Sequence, residues 1–223
     1  MTTRAHTALR LLSGLALALL AALLLAGCSI LSDKPRSTST IFAPDPRVQP
    51  DPAWPQVDWQ LVLAPPAAAR LIDSLRIAVR PTPGELQVYR GAQWARQPSD
   101  MLQDTLLRTF EDSGRIAAVG RQGSGMAADY RLVTDLRRFE SEYAQPGAPA
   151  ATIEVSAKLI HVASQRVVAS KVFLQAQPAA TTAVADVAHA FEQALEKIGH
   201  DIGGWTLLSG AAHQRTLPAT AAR

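Results

Sequence analysis

The chain has 223 residues, 48% of them hydrophobic and 18% charged, with a formal net charge of +3. That length fits one domain with tails. Residues 1–27 hold Arg4 and Arg10 and no acidic residue, so the remainder is near neutral, 20 basic against 19 acidic residues. It carries no basic stripe of the kind nucleic acid requires.

At the amino end, Arg4 and Arg10 flank or precede an apolar run from Leu11 to Ala26, which closes on Ala26-Gly27-Cys28. A basic start, a short apolar stretch and small residues before a cut site describe a secretory signal peptide. The run falls short of the roughly 20 residues that span a bilayer. The cysteine directly after the small residues resembles the bacterial lipobox, in which that cysteine is acylated and becomes the first residue. Residues 1–27 are therefore expected to be a lipoprotein signal peptide, and Cys28 the lipidation site. Cys28 is the only cysteine, so it has no intramolecular disulfide partner and acylation accounts for it. Two or three acyl chains anchor stably where one does not. Ser29, by analogy with lipoprotein sorting, implies the periplasmic face of the outer membrane rather than the inner membrane.

Residues 28–56 read as the lipidated cysteine followed by a tether, punctuated by Pro35, Pro44, Pro46, Pro50, Pro52 and Pro55. Proline density favours extended chain, with a reach of roughly 80 Å at about 3.1 Å per residue. Ile41, Phe42 and Trp54 make it equally reasonable that the second half packs on the domain. A domain is expected over 57–209. Val57, Trp59, Leu61 and Leu63 alternate with Asp58, Gln60 and Val62, as in a strand with one buried face. Leu75, Ile77 and Val79 repeat the pattern, and Leu86, Val88 and Tyr89 suggest a short third strand.

A helix is predicted after Pro98, capped by Ser99 or Asp100. Leu102, Leu106 and Phe110 share one face, and Gly114 is a natural stop. Strands are predicted at 116–119, 130–139, 152–162 and 166–175, the last two joined as a hairpin by Ala163-Ser164-Gln165. A second helix carries Val184, Val187, Ala188, Phe191, Leu195, Ile198 and Ile202 at helical spacing. Thr181 or Thr182 is its expected cap, and Gly203-Gly204 its expected end. Residues 210–223 read as a disordered tail.

Residues for chemistry are sparse. His161, His189, His200 and His213 are scattered. His189 and His200, eleven residues apart on one helix, stand roughly 16 Å apart along its axis, too far to share an ion. No metal site and no cofactor are predicted. No serine has the strand–turn–helix elbow of a hydrolase. Gly123-Ser124-Gly125 reads as a loop between strands rather than a phosphate site. Asp135, Glu140 and Glu142, near Arg137 and Arg138, read as solvated charges at a strand end in preference to an acid–base pair. Tyr89, Arg90, Trp94 and Arg96 form a possible interaction surface, because aromatic residues and Arg favour interface centres. The competing and preferred reading has Trp94 packing its loop against the first helix.

Taken in order, Trp59-Gln60-Leu61 running into Pro65-Pro66, Ile77-Ala78-Val79, Tyr89-Arg90, Trp94-Ala95-Arg96-Gln97-Pro98, Phe110-Glu111-Asp112-Ser113-Gly114 and Asp129-Tyr130-Arg131-Leu132 resemble the ABC-type transport auxiliary lipoproteins, the family of PqiC. The resemblance covers about 57–205. It implies a three-layer α/β domain with a mixed sheet, similar to the anticodon-binding-domain and TolB N-terminal folds. It further implies a non-enzymatic periplasmic accessory to lipid or hydrophobic-solute transport. Its partners would be an MCE-domain protein and an ABC permease and ATPase, and several copies would form a ring. A lipid-binding carrier is the alternative, and it would need an apolar cavity of several hundred Å³.

Overall fold

The computed structural model describes residues 39–144 and 146–218. The expected signal peptide and the expected lipidation site Cys28 lie outside the described residues. The strands are β1 (Thr40–Phe42), β2 (Val57–Leu63), β3 (Ala67–Ala68), β4 (Arg76–Arg80), β5 (Gln87–Trp94), β6 (Ile116–Arg121), β7 (Tyr130–Glu142), β8 (Ala150–His161) and β9 (Arg166–Pro178). Two helices, α1 (Pro98–Ser113) and α2 (Val184–Gln214), complete the α/β fold. Among the described residues, no helix is long and apolar enough to cross a membrane.

The nine strands make one mixed, open sheet, and β7 is its spine. Along one edge β7 takes three parallel partners in turn. Tyr130–Leu132 pair with Leu61–Leu63 of β2, Asp135 and Leu136 with β3, and Ser141 and Glu142 with Val79 and Arg80 of β4. The other edge pairs along its whole length, antiparallel, with β8, which pairs in the same way with β9. β6 lies parallel beyond β2, while β5 and then β1 lie beyond β4.

Alternation assigns the faces. Ala151, Ile153, Val155, Ala157 and Leu159 of β8 are all fully buried, as are Phe191, Leu195, Ile198 and Ile202 of α2. These faces meet in one core that also takes Leu102, Leu106 and Phe110 of α1. Each of the larger side chains among these contributes roughly 1.5–3 kcal/mol through removal from water.

The folded unit begins at Ser39, well before the expected boundary at Val57. β1 pairs with β5 inside the segment expected to be tether. Trp54 is buried against Gly203 and Gly204 of α2 and lies 5.1 Å from the ring of His200. Asp45 accepts a hydrogen bond from Arg108, and its own N–H donates to Glu192 Oε1. Of the two readings open for the second half of that segment, the packed one describes residues 40–56.

α2 does not end at Gly203-Gly204 but runs on to Gln214, and so into the stretch expected to be tail. The two glycines are contact points rather than breakers. A Cβ at Gly204 would sit 2.5 Å from Trp54 Nε1, and one at Gly203 would sit 2.9 Å from Thr109 Cγ2 of α1. Loss of backbone freedom at such glycines costs about 1 kcal/mol each relative to alanine, and the close indole and helix packing offsets it.

The caps also differ from expectation. Gln97 is the N-cap of α1 and makes no side-chain cap bond. Asp73 supplies the acceptor from a distance, taking the Ser99 N–H at 2.9 Å and the Ser99 hydroxyl at 3.0 Å. Gly114 stops α1 as expected, with a left-handed φ of 59°. Ala183, not Thr181 or Thr182, is the N-cap of α2. Thr181 Oγ1 accepts the Ala183 N–H at 3.0 Å, just before the helix.

Candidate functional site

The Tyr89–Arg96 segment divides into an inner and an outer half. Trp94, at the end of β5, is 1% exposed. Its indole meets the edges of Phe139 of β7 at 5.9 Å and Phe191 of α2 at 5.1 Å, and those two phenyl rings stack at 4.6 Å. Trp94 therefore offers no contact surface. Its partners lie on the sheet and the second helix, not only beside the first helix as sequence reasoning preferred. Tyr89 is half-buried, its hydroxyl 2.9 Å from Ser141 Oγ, and burial pushes its pKa up to about 12. Arg90 and Arg96 stay on the surface, where Arg96 pairs with Asp104.

Of the three carboxylates expected to be solvated, Asp135 stays exposed and Glu142 is half-buried, but Glu140 is not solvated. Glu140 is 1% exposed. Arg80 Nε and Nη2 donate to its two oxygens at 2.8 and 2.9 Å, and Arg138 Nε donates to Oε1 at 2.8 Å. Arg138 also reaches Glu142 at 2.7 Å, and Glu142 accepts the Thr152 hydroxyl at 3.0 Å. Burial works against the Glu140 charge, but the two guanidinium groups outweigh it and hold its carboxyl below the usual range. Two cations against two carboxylates make a closed network that ties β4 to β7 and β8. The lowered pKa keeps Glu140 as the carboxylate partner of both arginines.

Sequence reasoning missed a cluster at the other end of β7. His161 of β8 and His213 of α2, 52 residues apart in sequence, have ring centroids 5.0 Å apart. Tyr130 joins them, its hydroxyl 2.9 Å from His213 Nδ1, and Trp59 packs on Tyr130 at 4.8 Å. Burial, then His161 and Arg166, lower the His213 pKa. No spacing rule pairs residues so far apart, so no signal in the sequence marked the cluster. His189 bonds Glu192 on its own helix, and His200 packs on Trp54. Among the described residues, no three His, Cys, Asp or Glu side chains converge as a metal site.

The clefts are open, and one of about 740 Å³ mixes apolar Val57, Ala117 and Ala211 with Asp58, Gln214 and Arg215. Another, of about 650 Å³, lies between β9 and α2, lined by Gln175, Gln177, Gln193, Lys197, His200 and Asp201 among others. Its groups bond each other: Gln175 donates to Asp201 at 2.8 Å and Lys197 to Gln177 at 2.6 Å.

Comparison with known proteins places this geometry. The crystal structure of the Xanthomonas campestris protein XCC0632, assigned to the family DUF330, is 57% identical. The match covers 80% of this chain and 100% of that one, with a TM-score of 0.77. An uncharacterized protein of Bradyrhizobium diazoefficiens is 28% identical over 163 residues, covering 71% of this chain. The chain spans 42% of the length of that curated relative. A crystal structure of another uncharacterized protein, 12% identical with a TM-score of 0.58, shares the fold. Residues 40–203, nearly the whole folded unit, match the ABC-type transport auxiliary lipoprotein component, and the chain belongs to that family.

Proposed function

We propose that this protein is a non-enzymatic adaptor of an ABC transport system that moves lipid or another hydrophobic solute across the Gram-negative envelope. The observation that carries the proposal is the family match over 40–203, which coincides with the folded unit. Acyl chains on Cys28 hold it on the periplasmic face of the outer membrane. It docks an MCE-domain protein that connects to a permease and ATPase, and several copies assemble as a ring. Exposed Arg90 and Arg96 are the parts of the sequence-marked segment available for that contact.

An adaptor suits this interior better than a lipid carrier does. The side chains of β8 and α2 fill the core, and the clefts of about 650 and 740 Å³ are open to solvent rather than enclosed. A carrier needs a mostly apolar cavity. Crosslinking in intact envelopes followed by affinity purification tests the reading. Recovery of an MCE-domain protein and a permease supports it, and their absence overturns it. Native mass spectrometry of the purified protein reports the copy number and any bound lipid. A stoichiometric lipid would favour the carrier.

A further inference from the structure

We propose that the open edge of β9 receives the β9 of a second copy of this chain, in antiparallel register, so that the sheet continues across a two-fold axis. Among the described strands, β9 is hydrogen-bonded to β8 alone. It is 13 residues long, and along its open edge every second residue turns its N–H and C=O outward. An uncovered edge of that length is a template for another strand. The inference does not rest on the transport role proposed above. A two-fold contact closes on two copies, so the ring proposed above would use other surfaces.

The register with β8 assigns the faces of β9. Phe173 pairs with Val155, Lys171 with Ala157 and Gln175 with Ile153, so these three stand on the face that α2 covers. Val172 pairs with Ser156 and Leu174 with Glu154, which puts both on the opposite face. There they are 48% and 56% exposed. On the helix side, Asp201 of α2 accepts from Gln175, and half-exposed Trp205 meets the Phe173 ring edge-on at 5.6 Å. Leu208 stands two turns along α2 from Asp201 and is exposed. Accessible apolar side chains therefore flank the open edge on both faces of the sheet.

β9 is complementary to itself about Phe173, and this selects a second copy as the occupant. An antiparallel pair centred there sets Val172 against Leu174 of the second copy, and Leu174 against its Val172, giving two apolar pairs on the outer face. On the helix side Lys171 meets Gln175. No like charges stand opposite each other, and β9 contains no carboxylate. Lysine on an edge strand deters pairing, but Lys171 Nζ lies over the ring of its own Phe173 at 4.9 Å. Because α2 packs over β8 and β9, the same axis sets the two copies of α2 side by side, roughly two strand spacings or 10 Å apart. Helices pack at about 8–10 Å, so Trp205 and Leu208 enter the contact together with the strands. A strand from an unrelated chain would satisfy the edge without the second helix.

The test uses the full chain in mild detergent. Val172→Cys and Leu174→Cys proteins carrying tags of different mass are mixed and oxidised, and the parent chain reports any disulfide formed through Cys28. A mixed disulfide dimer is expected, with loss of that product when either variant is oxidised alone, because like positions stand diagonally across the axis and too far apart for a relaxed disulfide. Val172→Lys with Leu174→Lys changes two exposed side chains and sets like charges against each other. Sedimentation across a concentration series is expected to show its dimer dissociation constant raised about tenfold or more, with the circular dichroism of the parent retained. A parent chain that stays monomeric at every concentration overturns the proposal, as does a dimer of unchanged strength in the double lysine variant. Copies that associate without the mixed disulfide place their contact elsewhere and also overturn it. A monomeric chain whose residue 172 crosslinks to a different protein in intact envelopes gives the edge to that protein and overturns the second copy.

Discussion

The backbone of Gly210 lies against the indole of Trp59, so close that a Cβ at residue 210 would press on ring atoms Cζ2 and Cε2. Trp59 is 2% exposed and cannot swing away. Alanine at 210 would gain about 1 kcal/mol of helix propensity, but overpacking a closed interior costs about 1–3 kcal/mol. Because the neighbour is a buried ring, the clash is expected to win. Gly210→Ala should lower the urea midpoint at unchanged slope, and Gly204→Ala, against Trp54, should do the same. A raised midpoint would mean that α2 does not rest on these rings.

Trp94 separates a core role from a contact role. With its indole between Phe139 and Phe191, Trp94→Ala should cost about 3–5 kcal/mol of stability. Arg90→Ala, at an exposed position, should stay within about 0.5 kcal/mol. Thermal unfolding of the two variants reads this directly, and a Trp94→Ala protein as stable as the parent would return the tryptophan to the surface.

Local signals made most elements legible. The alternation at Val57–Leu63, the proline–glycine bracket around α1 and the heptad-like apolar spacing of α2 each express one face meeting one core. The readings that failed depend on distant partners. Gly203-Gly204 looks like a stop until Trp54 is placed against it, and Glu140 looks solvated until Arg80, sixty residues earlier, donates to it. Asp73 caps a helix that starts twenty-five residues later. The Tyr89–Arg96 segment was visible as a motif, but the inward turn of Trp94 depends on rings of β7 and α2. Composition alone could not fix the start of the fold, because β1 is three residues long and takes its stability from β5.

Glu140→Gln should unsettle the sheet. It removes the charge from between Arg80 and Arg138 and leaves two cations facing each other in a nearly closed site. Breaking one partner of a buried pair costs about 3–5 kcal/mol. The pH dependence has a fixed sign. The Glu140 carboxyl is held below its ordinary 4.5 in the folded chain, so the unfolded chain binds more protons in that range. The stabilisation is complete above about pH 4.5 and is lost as pH falls through the lower folded value. Acid titration followed by circular dichroism should show the parent unfolding more steeply below pH 4.5 than Glu140→Gln does.

His213 should make the carboxyl end of α2 sensitive to mild acid. Its pKa is lowered from the ordinary 6.5 by burial, by His161 and by Arg166, and the other group facing it, Tyr130, stays neutral with a pKa pushed up to about 12. The unfolded chain then holds more protons than the folded one just below pH 6.5, so stability rises with pH through that window and is complete above it. Protonation at lower pH sets an imidazolium beside His161 and Arg166 and removes the Nδ1 lone pair that can accept from Tyr130. Hydrogen-exchange protection factors in the last turns of α2, corrected for the slower intrinsic exchange in acid, should fall as pH drops below about 6.5, in the range where histidine switches, while the centre of β8 stays protected. His213→Gln cannot take up the proton and should flatten that response. If the loss of protection persists in the variant, another titrating group opens the helix end.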